Sequence, residues 1–247
     1  QIAIGTPATA SLDIADNDSA TVRVAGTTHG SETGPANAVF TVTQSAASST
    51  ATVLSYTVGG TATWAGGDFT APSGTVTIPA GGTTATITIG VLNDALVEAT
   101  ETVTITLVAP LASGDADITV NTTLASRDIT DNDSATINIS SPSVTEGGTL
   151  AFSVTINNPV DVAVTAGRAT QDGTTNPATV ADGDYTPLSS ANVTLFAAGS
   201  TAAYAINVST TGDGKVELDE TLRVLLSNLG AAGRNVAFAG GGATLLG

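Results

Sequence analysis

An internal repeat is the sequence feature that most constrains how this chain folds. Residues 11–21 (SLDIADNDSAT) return as residues 126–136 (SRDITDNDSAT), about 115 positions later. Shorter similarities follow in the same order, such as residues 67–69 (GDF) with residues 183–185 (GDY). Self-similarity at a fixed period is the signature of repeated structural units. The sequence therefore predicts two tandem repeats of one domain.

Each repeat has the pattern of short β-strands. Apolar residues alternate with threonine and other small polar residues at period two, as in residues 39–43, 102–107 and 151–156. Clusters of glycine, proline and asparagine separate these stretches and indicate turns. About seven such strands in about 115 residues are typical of an immunoglobulin-like sandwich. We therefore predict an all-β fold of two tandem immunoglobulin-like β-sandwiches, at residues 19–133 and 134–247.

The composition excludes several classes of function. The 247 residues carry 22 acidic and 6 basic side chains, a formal net charge of −16. Nucleic acids and anionic membrane surfaces need basic partners, so we expect no binding to either. No apolar run approaches the roughly 20 residues of a membrane-spanning helix, so no membrane insertion is expected. The negative net charge instead favours the binding of cations.

The side chains that most enzymes rely on are scarce. The chain has no cysteine and one histidine, His29, which lies in a glycine-containing loop without a neighbouring triad pattern. Paired carboxylates can hydrolyse glycosides. Here, however, the acids recur at equivalent places in both repeats, which favours a repeated structural role. We expect that the protein is not an enzyme.

The recurring acids lie where the predicted strands end. Asp94 follows an apolar stretch, Glu98 comes before the next strand, and Asp131 follows the last strand of the first repeat. Loops at one end of a sandwich converge in space, so these carboxylates are expected to meet there and to repel one another without a cation. Ca²⁺ takes six to eight hard oxygen ligands and tolerates irregular geometry, whereas Zn²⁺ prefers histidine or cysteine.

Short motifs recur in a fixed order along the first repeat: Glu32, residues 67–69 (GDF), 78–81 (IPAG) and 92–94 (LND), Glu98 with Glu101, and residues 129–133 (ITDND). Their order and spacing, together with their counterparts in the second repeat, resemble the Calx-beta motif over nearly the whole chain. Calx-beta domains are immunoglobulin-like sandwiches found in sodium–calcium exchangers and, as arrays, in bacterial surface and adhesion proteins. The resemblance implies Ca²⁺ as the bound cofactor and carboxylates as its ligands in each repeat. In the first repeat the implied ligands are Glu32, Asp68, Asp94, Glu98, Glu101, Asp131 and Asp133. In the second repeat they are Glu146, Asp184, Asp213, Glu217 and Glu220.

An alternative without a metal is open for the same residues. Aspartate and asparagine often cap turns through bonds from the side chain to the backbone. Asn93 and Asn132 also stand where additional acids would strengthen calcium binding. The second repeat stops before any Asp-Asn-Asp segment, so its ligand set is smaller.

The boundaries of the repeats do not coincide with the ends of the given sequence. Residues 1–18 correspond to the end of a repeat, and the second repeat is predicted to lack that last strand. Two explanations fit: the chain is a window on a longer covalent array, or residues 1–18 of one molecule complete the second repeat of another. The second explanation is donor-strand complementation, and it would bring Asp16 and Asp18 to the second group of acids. Either way, we expect head-to-tail stacking with other repeats or with other copies of the chain.

The function expected from these observations is that of a calcium-binding structural or adhesive module. It would belong to a secreted, extracellular surface protein or filament, in which calcium stiffens the joints between domains. One alternative is a carbohydrate-binding module, with Trp64, Tyr56 and Tyr185 as stacking surfaces for surface glycans. The other is a calcium-sensor domain of a larger membrane protein.

Overall fold

The structure is a computed structural model, and it describes residues 12, 14–242 and 244–247. Its regular elements in these residues are 17 β-strands and one short 3₁₀ turn, Ala239–Gly241. The all-β prediction is confirmed. No helix among the described residues is long and apolar enough to cross a membrane.

The first domain contains nine strands in two sheets that face each other. The strands are β1 (Ala20–Thr28), β2 (Gly30–Ser31), β3 (Ala38–Gln44), β4 (Thr52–Gly60), β5 (Thr75–Ile78), β6 (Thr84–Ile89), β7 (Glu101–Ser113), β8 (Ile118–Val120) and β9 (Ala125–Thr130). One sheet has the order β6-β3-β1-β8, and the other has the order β2-β9-β7-β4-β5.

The second domain repeats this plan with eight strands. They are β10 (Ala135–Ile139), β11 (Thr149–Ile156), β12 (Val164–Asp172), β13 (Ala191–Phe196), β14 (Tyr204–Ser209), β15 (Leu222–Gly230), β16 (Val236–Phe238) and β17 (Leu245–Leu246). The sheets have the orders β14-β11-β10-β16 and β13-β12-β15-β17, which match the first domain strand for strand except for β2. The prediction of two tandem β-sandwiches is confirmed.

Each sandwich has its own apolar core, and period-two alternation produces it. In β3 every second side chain, from Ala38 to Gln44, is buried between the sheets. Phe40, Leu54 and Ile105 belong to the first core, and Phe152 and Leu226 belong to the second. Threonine occupies many of the alternate positions, where a β-branched polar side chain fits a pleated surface with one face toward water.

The last strand differs between the two domains. In the first domain β9 pairs with β7 from Ala125 to Ile129 and also pairs in parallel with β2. A side chain at Gly30 in β2 would lie 2.8 Å from Val91, so glycine permits this close packing. The sequence predicts no last strand in the second domain, whereas the structure places β17 beside β15, because Leu245 packs against the second core.

The structure describes only part of residues 1–18. This segment was predicted to be the terminal strand of a preceding repeat or a donor strand. Residues 1–11 and 13 lie outside the described residues. Leu12 and residues 14–18 have no regular secondary structure, and they are exposed.

The two domains touch through the loop that precedes β7. The backbone amide of Val97 donates to the carbonyl of Pro159 at 2.9 Å, and the amide of Asp161 donates to the carbonyl of Val97 at 3.1 Å. The side chain of Val97 is 0% exposed and belongs to the core of the second domain. A residue of the first domain therefore completes the core of the second.

Candidate metal centre

Seven carboxylates of the first domain gather at the end of the sandwich that faces the second domain. We call this set the junction cluster. Its members are Glu32, Asp68, Asp94, Glu98, Glu101, Asp131 and Asp133. One oxygen from each of Glu32, Asp131 and Asp133 lies within 4.8 Å of the other two, and the same holds for Asp68, Glu98 and Glu101.

The elements of the fold explain why these side chains meet. Glu32 directly follows β2, and its amide donates to the carbonyl of Thr130 at 3.0 Å, which places it beside the end of β9. Asp131 is the next residue after Thr130, and Glu101 is the first residue of β7, the neighbour of β9. Adjacent strands β2, β9 and β7 thus present their acids at one edge.

Part of the cluster does cap turns, as the alternative interpretation predicts. Asp131 accepts hydrogen bonds from the amides of Glu98 and Asp133, both at 2.9 Å. The Oδ1 atom of Asp94 accepts from the amide of Leu96 at 2.7 Å. These bonds organise the loop that carries the junction with the second domain.

Turn capping does not account for the whole cluster. Glu32 is 3% exposed and Asp68 is 6% exposed, and neither forms an ion pair with a basic residue in the described part of the chain, which is unusual for buried acidic side chains. The Oε2 atom of Glu32 and the Oδ2 atom of Asp133 are buried and have no hydrogen-bond partner among the residues that the structure describes. A buried carboxylate oxygen without a partner is costly, and a cation bound between these two atoms would remove that cost.

The pKa values of the junction-cluster carboxyls are also raised by burial and mutual repulsion. Burial raises the pKa of Glu32 from 4.5 to about 7, and repulsion from Asp131 and Asp94 adds to the rise. Burial together with repulsion from Asp68 raises the pKa of Glu98 to about 8 and that of Glu101 to about 7. Ionising all members is therefore unfavourable unless a positive charge enters.

The second domain contributes two residues that sequence reasoning missed. Asp161 repels Glu98 and Glu101 and helps raise the pKa of both. Arg234 forms a bidentate ion pair with Asp161, at 2.7 Å from Nε and 2.5 Å from Nη2. The repeat could not reveal this pair, because it depends on how the second domain sits against the first.

The acids predicted in the second domain also meet, but at its far end. We call Glu146, Asp184, Asp213, Glu217 and Glu220 the distal cluster. Glu146, Asp213 and Glu217 lie within 4.8 Å of one another by one oxygen each, as do Asp184, Glu217 and Glu220. The amide of Asp213 donates to Glu146 at 2.9 Å, and Asp184 accepts from the amide of Thr179 at 2.7 Å.

The distal cluster differs from the junction cluster in exposure and in charge. Four of its five members are exposed and Asp184 is half-buried. A lysine enters this cluster: the Nζ atom of Lys215 lies 3.4 Å from Asp213 and 3.6 Å from Glu217. The pKa of Lys215 is raised, with Glu217 as the main cause. Sequence reasoning overlooked this residue because the first domain has no lysine there.

Two predicted ligands lie elsewhere in the same molecule. Asp16 and Asp18 are at the opposite end of the first domain from the junction cluster. They border a hollow of about 170 Å³ that is also lined by Asp115 and Asp117. The amide of Asp18 donates to Asp16 at 3.2 Å. Within one molecule they therefore do not join the distal cluster.

Two of the three aromatic residues predicted as stacking surfaces for glycans are buried. Tyr56 and Tyr185 are buried in the two cores, so their prediction as stacking surfaces is wrong. The hydroxyl of Tyr185 donates to Asp172 at 2.8 Å. Trp64 is exposed, but the equivalent position in the second repeat does not hold an aromatic residue.

Two tandem immunoglobulin-like β-sandwiches with carboxylates clustered in the loops at one end of each domain define the class of protein. The Calx-beta domain model matches the chain twice, at residues 15–140 and 128–246, so the chain belongs to the Calx-beta family. The resemblance inferred from the sequence is confirmed. No curated protein sequence matches the chain.

Solved structures of low sequence identity are also similar. The crystal structure of CBD12 from CALX1.2 is 17% identical, with 86% of this chain and 82% of that chain covered and a TM-score of 0.39. The calcium-binding domain CBD12 of CALX1.1 is 19% identical, with coverages of 85% and 81% and a TM-score of 0.37. A two-domain protein of unknown function from Bacteroides fragilis is 8% identical, with both coverages at 92% and a TM-score of 0.30.

Proposed function

We propose that this chain is a calcium-binding structural module in which Ca²⁺ at the junction cluster stiffens the contact between its two domains. The observation that carries the proposal is the pair of buried carboxylate oxygens on Glu32 and Asp133 that have no hydrogen-bond partner among the described residues. They lie inside the first of the two groups of three acids, with Asp94 close enough to raise the pKa of Glu32. Membership of the Calx-beta family supports it.

The donors present fit calcium. The junction cluster offers only carboxylate oxygens, and hard oxygen ligands in an irregular arrangement are what Ca²⁺ prefers. The cluster contains no histidine and the chain has no cysteine, so the donors that Zn²⁺ favours are not offered. When bound, the ion would supply the positive charge that lets Glu32 and Glu98 ionise near neutral pH.

The position of the cluster connects metal binding to the arrangement of the domains. Glu98 belongs to the junction cluster, and the preceding residue, Val97, is buried in the core of the second domain. A cation that holds Glu98 therefore restrains the loop that joins the domains. Neutralising Glu98 and Glu101 also relieves their repulsion with Asp161 across the junction.

The distal cluster is proposed to bind calcium more weakly than the junction cluster. Its carboxylates are more exposed, so water competes better for the ion. Lys215 already provides one positive charge beside Asp213 and Glu217. Asp16 and Asp18, which were also predicted as ligands of this cluster, lie at the other end of the molecule.

The wider role proposed for the module is structural or adhesive, on an extracellular surface. Tandem repetition, a cysteine-free composition and a net charge of −16 support this setting, in which millimolar calcium occupies weak sites. Calcium binding is proposed to make the row of domains stiffer. A catalytic role is not part of this proposal.

A calcium titration of the whole chain tests the proposal. Calcium at about 100 times its Kd stabilises a folded protein by about 2.7 kcal/mol. For a chain of this size that corresponds to a rise in melting temperature of about 5–10 °C. Calorimetry in calcium, in magnesium and in chelator measures the rise, and small-angle scattering measures whether calcium narrows the spread of interdomain distances.

Two variants separate calcium binding from a general effect of charge. Asp131→Asn removes a carboxylate from the junction cluster and is expected to abolish most of the calcium-induced rise. Asp128→Asn removes a carboxylate on β9, three residues before Asp131 and outside the cluster, beside His29. It is expected to respond to calcium like the parent. Equal melting temperatures of the parent in calcium, magnesium and chelator would refute the proposal.

A further inference from the structure

We propose that the open edge of β6 pairs with the same edge of a second copy of this chain, side by side and antiparallel. This contact extends the sheet β6-β3-β1-β8 across two molecules. It is separate from calcium binding, and it involves only residues in the middle of the first domain. Three properties of the edge support it: the backbone groups that it presents, its lack of protective features and its symmetry.

Alternate residues of β6 point their backbone groups away from the sheet. β6 and β3 are antiparallel and paired without a register shift. Directly before β6, the amide of Gln44 donates to the carbonyl of Thr83 at 2.8 Å, so Thr83 faces β3. Because backbone groups alternate in direction along a strand, the amides and carbonyls of the next alternate residues face the open side. These residues are Thr84, Thr86 and Thr88.

The chain itself shows that this side of β6 can pair. Just beyond the end of β6, the amide of Thr70 donates to the carbonyl of Gly90 at 2.8 Å, on the same side as the outward groups. The next residue in line is Pro72, which has no amide to donate to the carbonyl of Thr88. Among the described residues, no strand continues this pairing, and β6 is the last strand of its sheet.

β6 lacks the features that protect edge strands from pairing, which are charged side chains, proline, bulges and short length. No residue in the range 69–93 is charged. The six residues Thr84–Ile89 contain no proline, and their pairing with β3 has no bulge. The opposite edge of the same sheet, β8, is three residues long and directly follows two acids, Asp115 and Asp117. Pairing is therefore expected at β6 and not at β8.

The edge of β6 is complementary to itself. In an antiparallel pair centred on Thr86, this residue faces its own copy, and Thr84 faces Thr88 of the other molecule. Each of these pairs exchanges two backbone hydrogen bonds, about six in all. The three threonine side chains are exposed, and opposed threonines can bond to each other through their hydroxyls. A contact between identical surfaces closes as a two-fold dimer.

Net charge limits where two copies of this chain can meet. At −16 each, two molecules repel each other, and at physiological ionic strength this repulsion acts over about 8 Å. Contact along the uncharged β6 brings together fewer carboxylates than contact through the junction cluster or the distal cluster. Salt is therefore expected to strengthen the association.

The equivalent edge of the second domain is less suited to pairing. β14 is also the last strand of its sheet. Its outward positions, however, include Ala205 and Asn207, where β6 has Thr86 and Thr88. Alanine and asparagine are depleted in strands, whereas threonine is enriched. The contact is therefore assigned to the first domain.

Disulfide crosslinking of single-cysteine variants tests the inference, because the chain has no cysteine of its own. In the proposed register, two copies of Thr86→Cys place their Cα atoms about 5.5 Å apart, which a disulfide can span. Thr84→Cys is the matched control on the same edge, since its two copies lie about 14 Å apart. With oxidised glutathione as the oxidant, Thr86→Cys is expected to form covalent dimers roughly tenfold faster than Thr84→Cys.

A mixture of two variants tests the direction of the strands. Thr84→Cys mixed with Thr88→Cys is expected to crosslink between unlike molecules, although neither crosslinks rapidly by itself. Parallel pairing predicts the reverse, because each residue would then face its own copy. Rapid crosslinking of Thr84→Cys alone would therefore overturn the inference.

A proline on the edge tests the role of the backbone. Added to the Thr86→Cys chain, Thr84→Pro removes an outward amide and is expected to slow crosslinking roughly tenfold. Thr84→Val keeps the amide and the β-branched shape, and it is expected to crosslink like Thr86→Cys alone. Because this amide faces away from β3, both chains are expected to fold, and their melting temperatures verify it. Equal crosslinking rates of the two chains would contradict the pairing.

The crosslinking experiments are independent of the proposed function. They are carried out in chelator, with salt at about 0.5 M to screen the repulsion between the molecules. Equal rates for Thr86→Cys and Thr84→Cys would overturn the edge contact and leave calcium binding at the junction cluster in place. Crosslinking in the proposed register, in a protein whose melting temperature does not change with calcium, would support the edge contact and refute the proposed function.

Discussion

The buried acids of the junction cluster predict that, without calcium, the protein loses stability as the pH rises. A carboxyl whose pKa is higher in the folded than in the unfolded protein holds its proton more tightly when folded. Its contribution is fully present below its ordinary pKa of 4.5 and is lost as the pH rises through the folded value. Because the pKa of Glu32 is about 7 and that of Glu98 is about 8, the loss falls between about pH 4.5 and pH 8.

The size of the effect follows from Glu32, the most buried member. A rise in its pKa from 4.5 to about 7 corresponds to about 3.4 kcal/mol, at about 1.36 kcal/mol for each pH unit. The rises at Glu98 and Glu101 do not add in full, because those side chains are half-buried and because protonating one acid relieves the others. For the whole cluster we expect about 3–4 kcal/mol.

Urea denaturation followed by circular dichroism, in chelator at several pH values, measures this loss. The free energy of unfolding is expected to fall by about 3–4 kcal/mol from about pH 5 to about pH 8, and calcium is expected to remove most of the fall. Glu32→Gln should flatten the slope. Glu146→Gln, at the equivalent and exposed position in the second repeat, should keep it. A free energy that is constant or increasing over this range in chelator would refute the reasoning.

Two further predictions concern the contact between the domains. Val97→Ala is expected to lower the free energy of unfolding of the second domain by about 2 kcal/mol, because it empties part of that domain's core; urea denaturation measures it, and an unchanged second domain would contradict the contact. Arg234→Met leaves Asp161 without its partner beside Glu98 and Glu101, and we expect a loss of about 1–3 kcal/mol in chelator. Calcium should reduce this loss of stability. A loss that is equal with and without calcium would show that Asp161 is not repelled by the carboxylates of the junction cluster.

Much of the fold followed from the sequence because the physical signals were local. Alternation at period two indicated strands, and the repeat placed equivalent strands in the two domains. The same rules, applied more strictly, would also have placed the tyrosines. Tyr56 has the parity of the buried Leu54, and Tyr185 is the repeat equivalent of Phe69, which is buried. Both tyrosines were therefore predictable as core residues.

The candidate site was predictable only in part. Strand ends at one edge of a sheet meet in space, so the membership of the junction cluster followed from the order of the loops and from the family resemblance. The ion pair of Arg234 with Asp161 was not predictable, since it needs the relative placement of two domains. Lys215 was not predicted as a member of the distal cluster, because comparing the two repeats identifies the residues that they share. The first repeat has no lysine at the equivalent position.

One contact explains why equivalent residues behave so differently in the two repeats. Val97 is a core residue only because the second domain follows the first, and Val216 is exposed where no such neighbour is present among the described residues. The second domain therefore gains part of its core from the first, as in repeat proteins whose stability is a sum of units and interfaces. Glu98, the residue after Val97, brings the junction cluster to this interface, so a cation bound there would act on the contact between the domains as well as on the loop that holds it.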